Sequence, residues 1–351
     1  MLIRGEPAGS LAVRTLDGDW TESELQFSDN GRGPTIRERW RSDARGRPVE
    51  YQGLGRSTFG ALIDERFAFA EDGRLAWQSR IDRGNEAVPD DLIFVPLEPG
   101  PALIGQIAAG LLERASRRAS LRGGGEASAE VVHSTTVRGA SGPIPVILVA
   151  VTGIDADPWF VWLEDRPGRP LFASLDTRIQ IIAQGSERLV DDLIAQQARA
   201  EDSRLESLQK RLAIPLYGVT LIRNVRWFDS LAMRLEGPSD VWLNDGRIAS
   251  ITRPGNARIL PDHLIDGTGQ TLLPGLIDSH VHYSADQGLS RLAAGVTMVR
   301  EMGGSNERVR SIRTRIERGE IPGPTIVPAC FIEGRSRFSS RNGFVVDSLD
   351  E

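Results

Sequence analysis

Leu273-Pro274-Gly275-Leu276-Ile277-Asp278-Ser279-His280-Val281-His282 is the stretch that decides how the carboxyl-terminal part of this chain folds. Pro274 and Gly275 punctuate its start, Leu276 and Ile277 read as a strand entering a core, and Tyr283-Ser284-Ala285 reads as the exit into a loop. Successive side chains of a strand point to opposite faces, so Asp278, His280 and His282 share one face. That face carries two imidazoles and a carboxylate at the strand's C-terminal end. Neutral imidazole suits zinc and other late divalent ions, which makes His280 and His282 the candidate metal ligands and zinc the expected ion. A bare His-x-His arises readily by chance, and it is the Pro-Gly-apolar-apolar-Asp lead together with the segments flanking it that raises this one to a ligand pair. Asp278 reads as a hydrogen-bond acceptor that orients a neighbour.

The flanking segments extend the pattern. Upstream, Ile265-Asp266-Gly267-Thr268-Gly269-Gln270-Thr271 is an apolar-Asp-Gly-x-Gly turn; downstream, the chain reads Ala294-Gly295-Val296-Thr297-Met298-Val299-Arg300-Glu301-Met302-Gly303-Gly304. Together these segments resemble the amidohydrolase superfamily, in particular its imidazolonepropionase-like and prolidase-like branch, over about residues 217 to 351. Where Gly-Val-Thr-x-Val-Arg-Asp is usual in that family, Glu301 stands for the Asp, and it reads as a salt-bridging or capping residue. Gly303 and Gly304 read as tight backbone geometry. The resemblance implies a metal-dependent hydrolase that uses metal-activated water on C–N bonds of cyclic amides or dipeptide-like amides, with such a small molecule as its partner. It also implies a TIM-type (β/α)8 barrel whose remaining ligands, a lysine, further histidines and an aspartate, come from later strands. The histidines here are His133, His263, His280 and His282, and Lys210 is the single lysine. None of these follows His282, and His133 and His263 read as structural or solvated.

Length points the same way. An eight-stranded α/β barrel takes ~250 residues, whereas the stretch from Pro274 onward has room for about three strand–helix units. The expected strands are Gly275–His282, Thr297–Glu301 and Thr325–Glu333, with helices at Asp286–Ala294 and near Glu307–Arg318. Leu349-Asp350-Glu351 reads as the acidic first turn of a helix opening a fourth unit. Residues 274–351 are therefore expected to be the first three units of an incomplete barrel, inactive in isolation and partnered by a missing carboxyl-terminal barrel half. Two other readings stay open: one half of a split enzyme, or a non-catalytic binding or scaffold protein built on the amino-terminal domain.

The resemblance implies that residues 214–273 are the leading half of a β-sandwich beside the barrel. Val219-Thr220-Leu221-Ile222, Val241-Trp242-Leu243 and Arg247 to Ile251 are strands, the last two joined at Asn244-Asp245-Gly246 in a tight hairpin. A sheet of this kind without its remaining strands exposes an edge.

Residues 1–213 read as an α+β domain, rich in β-strands and holding two helices, with no catalytic spacing. Alternating segments at Leu11–Thr15, Glu38–Trp40, Phe67–Phe69 and Leu75–Trp77 are separated by the turn signals Asp17-Gly18, Asn30-Gly31 and Asp72-Gly73, which predicts antiparallel strands. Pro101 opens a helix with Leu103, Ile104, Ile107, Ala108, Leu111 and Leu112 at helical period. Arg117 to Ala129, glycine-rich and charged, reads as a mobile linker. Strands follow at Val131–Val137, Pro145–Thr152, Trp159–Leu163 and Ile179–Ala183. Ser186 then caps a helix to Leu212 with Leu189, Leu193, Leu205, Leu208 and Leu212 as its apolar stripe.

The bulk composition bounds the partners. A net charge of −6 argues against a nucleic-acid surface, which calls for a basic face. The longest apolar run, Ile144 to Val151, is far short of a membrane span, and Met1 to Pro7 lacks a signal-peptide core. A cytoplasmic protein with neither nucleic-acid nor membrane partner is expected, export of a longer parent being left open. Of 42 basic residues all but Lys210 are arginine, an imbalance that carries no function of its own. The single cysteine, Cys330, rules out an intrachain disulfide and reads as a small buried hydrophobe.

Overall fold

The computed structural model describes residues 1–351 except 4, 30, 140–141, 177, 257–258, 330, 337–338, 340–342, 349 and 351. The expectations for Asn30, Cys330, Leu349 and Glu351 lie outside the described residues. The chain divides into two units, Met1–Arg204 and Leu205–Glu351, and the division falls inside the helix Val190–Leu212. Among the described residues no helix is long and apolar enough to cross a membrane.

The first unit is built on antiparallel sheet. Seven strands, from Gly9–Thr15 to Arg83–Ala87, form a meander in which each pairs with the next. Left-handed glycines turn the first and fifth hairpins, Gly18 at φ 73° and Gly73 at φ 77°, where a side chain would be strained. Thr35–Ser42 shows the alternation plainly: Ile36, Glu38 and Trp40 point inward, and Arg37, Arg39 and Arg41 outward. A second sheet of eight strands holds Gly142–Thr152 in its interior. Its residues Ile147, Val149 and Val151 pack with Trp40, Phe67 and the helix Pro101–Leu112, while Val146 and Leu148 pack with Trp162, Phe172 and Leu193 of the long helix. Burial on both faces is why this strand reads as an unbroken apolar run.

Three expectations in this unit and in the helix that leaves it need correction. Arg117 to Ala129 is not a linker: Arg118–Ser120 and Glu126–Gly139 pair as a hairpin. Its inward residues Ala119, Ala127 and Ala129 are buried, but they are too small to stand out among glycines and arginines in sequence. Ser186 occupies the position before a short 3-10 turn, Glu187–Leu189, yet its side chain makes no capping bond. Leu212 ends the long helix exposed to water rather than in its apolar stripe.

In the second unit Val219–Asp229, Arg234–Asn244 and Arg247–Thr252 form an antiparallel sheet. Its hairpin turns at Asp245 and Gly246, φ 49° and 71°, the pair of positive φ values that a type I′ turn requires. His263–Asp266 and Thr271–Leu272 add parallel to Val219–Asp229. Then come three parallel strands, Leu276–Val281, Val296–Glu301 and Thr325–Pro328, with Val296–Glu301 in the middle. Helices Gly288–Ala293 and Asn306–Glu317 fill the crossovers that parallel pairing demands. Val281, Val299 and Ile326 meet Val309 and Ile312 of the second helix in one core.

Two expectations fail here. Leu276 and Ile277 do not enter a core: they are 59% and 66% exposed, because their strand is an edge of the three-stranded sheet. The third strand does not run on to Glu333. It stops at Pro328, and Ile332–Gly334 pairs instead with Phe344–Val346.

Candidate functional site

Parallel pairing brings the carboxyl ends of the strands together, the end of an α/β sheet at which ligands bind. Val281 pairs with Glu301, and Glu301 with Pro328, so the residues around His280 and His282 lie at that shared rim. The two imidazoles face each other edge to face, ring centroids 5.6 Å apart and planes at 86°. Both residues are exposed.

Each neighbouring carboxylate is already engaged. Asp278 accepts from Arg291 Nη1 at 2.6 Å and from the His280 backbone N–H at 3.3 Å; it ties the strand Leu276–Val281 to the first crossover helix. Glu301 is buried, and its Oε1 accepts from the N–H groups of Gly303 at 3.1 Å and Gly304 at 2.6 Å. Glu301 thus caps the turn that follows the strand. The same oxygen lies 4.0 Å from His282 Nδ1, an ion pair only when the imidazole is protonated. Gly303 packs closely on the same ring, since a Cβ there would stand 3.0 Å from His282 Cε1. The glycine lets the turn pass directly beneath the ring.

A zinc site takes about four donors, and two imidazoles supply half. Among the described residues no three His, Cys, Asp or Glu side chains come together in a group able to hold an ion. His133 lies in the first unit, bonded through Nε2 to Gln196 Oε1 at 2.9 Å. His263 accepts from the Tyr217 N–H at 3.1 Å. The described residues therefore do not complete a metal centre, and no hydrolytic step is assigned to them. Sequence reasoning identified the rim but missed Arg291, the partner of Asp278. Only the fold joins them, across 13 positions of chain.

No protein-family model matches the chain. Local similarity to curated proteins is nevertheless clear. The chain is 45% identical over 62 residues to a dihydroorotase of Thermus aquaticus, covering 18% of this chain and 13% of that protein. It is 46% identical over 46 residues to an N-acetylglucosamine-6-phosphate deacetylase of Lysinibacillus sphaericus, covering 13% and 11%. The chain thus spans only about an eighth and a ninth of the length of these relatives. Among solved structures, a prolidase complexed with N-methylphosphonate-L-proline matches with 23% identity and a TM-score of 0.31, over 38% of this chain and 41% of that one.

Proposed function

The segment shared with these relatives belongs to the amidohydrolase superfamily, and from that premise we propose that this chain is the leading part of a metal-dependent hydrolase of C–N bonds, in the imidazolonepropionase-like or prolidase-like branch. The observation that carries the reading is the pair His280 and His282 at the carboxyl rim of a helix-crossed parallel sheet. Members of the superfamily are metal-dependent, and an ion in such enzymes supplies an acidified water and a polarised carbonyl. Zinc is the ion that two imidazoles favour. The substrate class is a cyclic or dipeptide-like amide.

The three parallel strands are read as the first strands of an incomplete (β/α)8 barrel, and the sheet from Val219 to Leu272 as half of its flanking sandwich. Water-facing Leu276 and Ile277 support this, since in a closed barrel the first strand has neighbours on both sides. The remaining donors then come from further barrel strands, carried either on a longer chain or on a separate polypeptide.

Zinc titration followed by calorimetry tests the ligand pair. The protein should bind zinc weakly, and replacing both His280 and His282 by alanine should abolish that binding. Unchanged stoichiometry in the double variant would refute the assignment. The chain alone should hydrolyse neither dipeptides nor cyclic amides, and robust turnover would show that its own residues suffice.

A further inference from the structure

The first unit contains a cleft of about 320 Å³, at the lower end of the range for small-molecule sites. Trp77, Ile93, Phe94 and Ile154 give it apolar walls, and Glu65, Asp82 and Arg122 are its charged lining. Two carboxylates against one guanidinium leave the lining net negative.

The two acids differ in what they already hold. Asp82 Oδ2 accepts from Trp77 Nε1 at 3.2 Å and lies 2.9 Å from Arg122 Nη2. Arg122 stacks on the Trp77 ring, 3.8 Å from its centroid, and also meets Glu86 at 3.3 Å. This acid is neutralised. Glu65 is only 4% exposed, and among the described residues its one hydrogen bond comes from the Leu97 N–H at 3.0 Å, with no ion pair. It sits at an inward position between Ile63 and Phe67, where alternation calls for an apolar side chain. Glu38 occupies the equivalent inward position two strands away, but three donors satisfy it: Ser23 Oγ, the Tyr51 hydroxyl and the Gly100 N–H. A buried carboxylate is costly without compensation, and Glu65 has little.

We infer that this cleft binds a small apolar molecule carrying one cationic nitrogen, with the nitrogen against Glu65 and the hydrocarbon against Phe94, Trp77 and Ile93. The charge balance disfavours an anion, and the volume fits a small ligand.

Three probes of one shape test it on the full chain by calorimetry: phenethylamine, 2-phenylethanol and 3-phenylpropionate. Phenethylamine should bind about tenfold more tightly than the other two, the gain expected of one charged hydrogen bond. In Glu65→Gln that preference should vanish while the alcohol binds as before. Ile154→Trp, which fills the cleft, should abolish binding of all three. Equal affinities, no binding of the amine, or a preference that survives Glu65→Gln would overturn the inference. Should Glu65→Gln fail to fold, acidification of the native protein decides. Burial holds the Glu65 carboxyl above the usual range, with Leu97 N–H and Arg80 opposing and Glu98 and Glu38 reinforcing. The preference should therefore fade as pH drops, starting above the ordinary carboxylate range, and a preference constant down to acid would equally refute it.

Discussion

The two units handle mismatched surface in opposite ways. In the first, acids that an alternating strand turns inward are buried, and the eight-stranded sheet is covered on both faces. In the second, aliphatic side chains of an edge strand face water beside two exposed imidazoles. The contrast teaches that local pattern alone does not decide burial. Leu276 and Ile277 have the sequence of a core strand, and Glu38 and Glu65 that of a surface; the neighbouring strands, present or not, decide which is buried.

The sharpest way to break this comparison is in the first unit's core. Trp162 is fully buried and donates through Nε1 to Gln197 Oε1 at 3.1 Å. Trp162→Ala should lower stability by about 3–5 kcal/mol through the cavity and the lost bond, read as the denaturant midpoint. A loss below 1 kcal/mol would mean that this core is not as closed as its geometry.

A smaller effect is expected at the rim of the second unit. Glu301→Ala removes the acceptor of two turn N–H groups and should cost about 1–3 kcal/mol. Glu301→Gln keeps an amide oxygen in place and should cost less. If the two variants are equally stable, the turn finds other acceptors and the capping role of Glu301 falls.

The third prediction concerns pH. Burial raises the Glu38 carboxyl above the usual carboxylate range, opposed by the donors from Gly100, Ser23 and Tyr51. The folded state thus holds a proton that the unfolded chain releases at lower pH. Stability from this group is complete below the unfolded value and is lost as pH rises through the folded one. Thermal melts should therefore shift upward on moving from alkaline toward mildly acid buffer. Glu38→Gln, whose oxygen can keep the bonds from Tyr51 and Gly100 while its amide donates to Ser23, should flatten that dependence. An unaltered slope in the variant would assign the effect to other groups.

How far the sequence was legible follows from the range of the interactions involved. The hairpin at Asp245-Gly246, the helix opened by Pro101 and the crossover helix Asn306–Glu317 are short-range features, and all form where periodicity and turn chemistry put them. The hairpin of Arg118–Ser120 with Glu126–Gly139 was hidden because its buried residues are alanines. At the rim, the His-x-His spacing announced His280 and His282, but the Asp278–Arg291 pair and the cap made by Glu301 depend on how strand, turn and helix meet. The cleft of the first unit had one readable sign, a glutamate where Ile63 and Phe67 predict an apolar residue. Its meaning needs the lining strands.

The smallest expected effect is the most discriminating. If the edge strand faces water in solution, Leu276→Ser and Ile277→Ser should each change stability by no more than about 0.5 kcal/mol, the usual cost at an exposed position. Removing apolar surface from an unpaired edge should also reduce self-association, so sedimentation of the double variant should show fewer aggregates than the native chain. A loss of about 2 kcal/mol or more from either substitution would instead show that these side chains are buried in solution. Both are more than half exposed, and concentration dependence of the effect would identify the covering surface as a second copy.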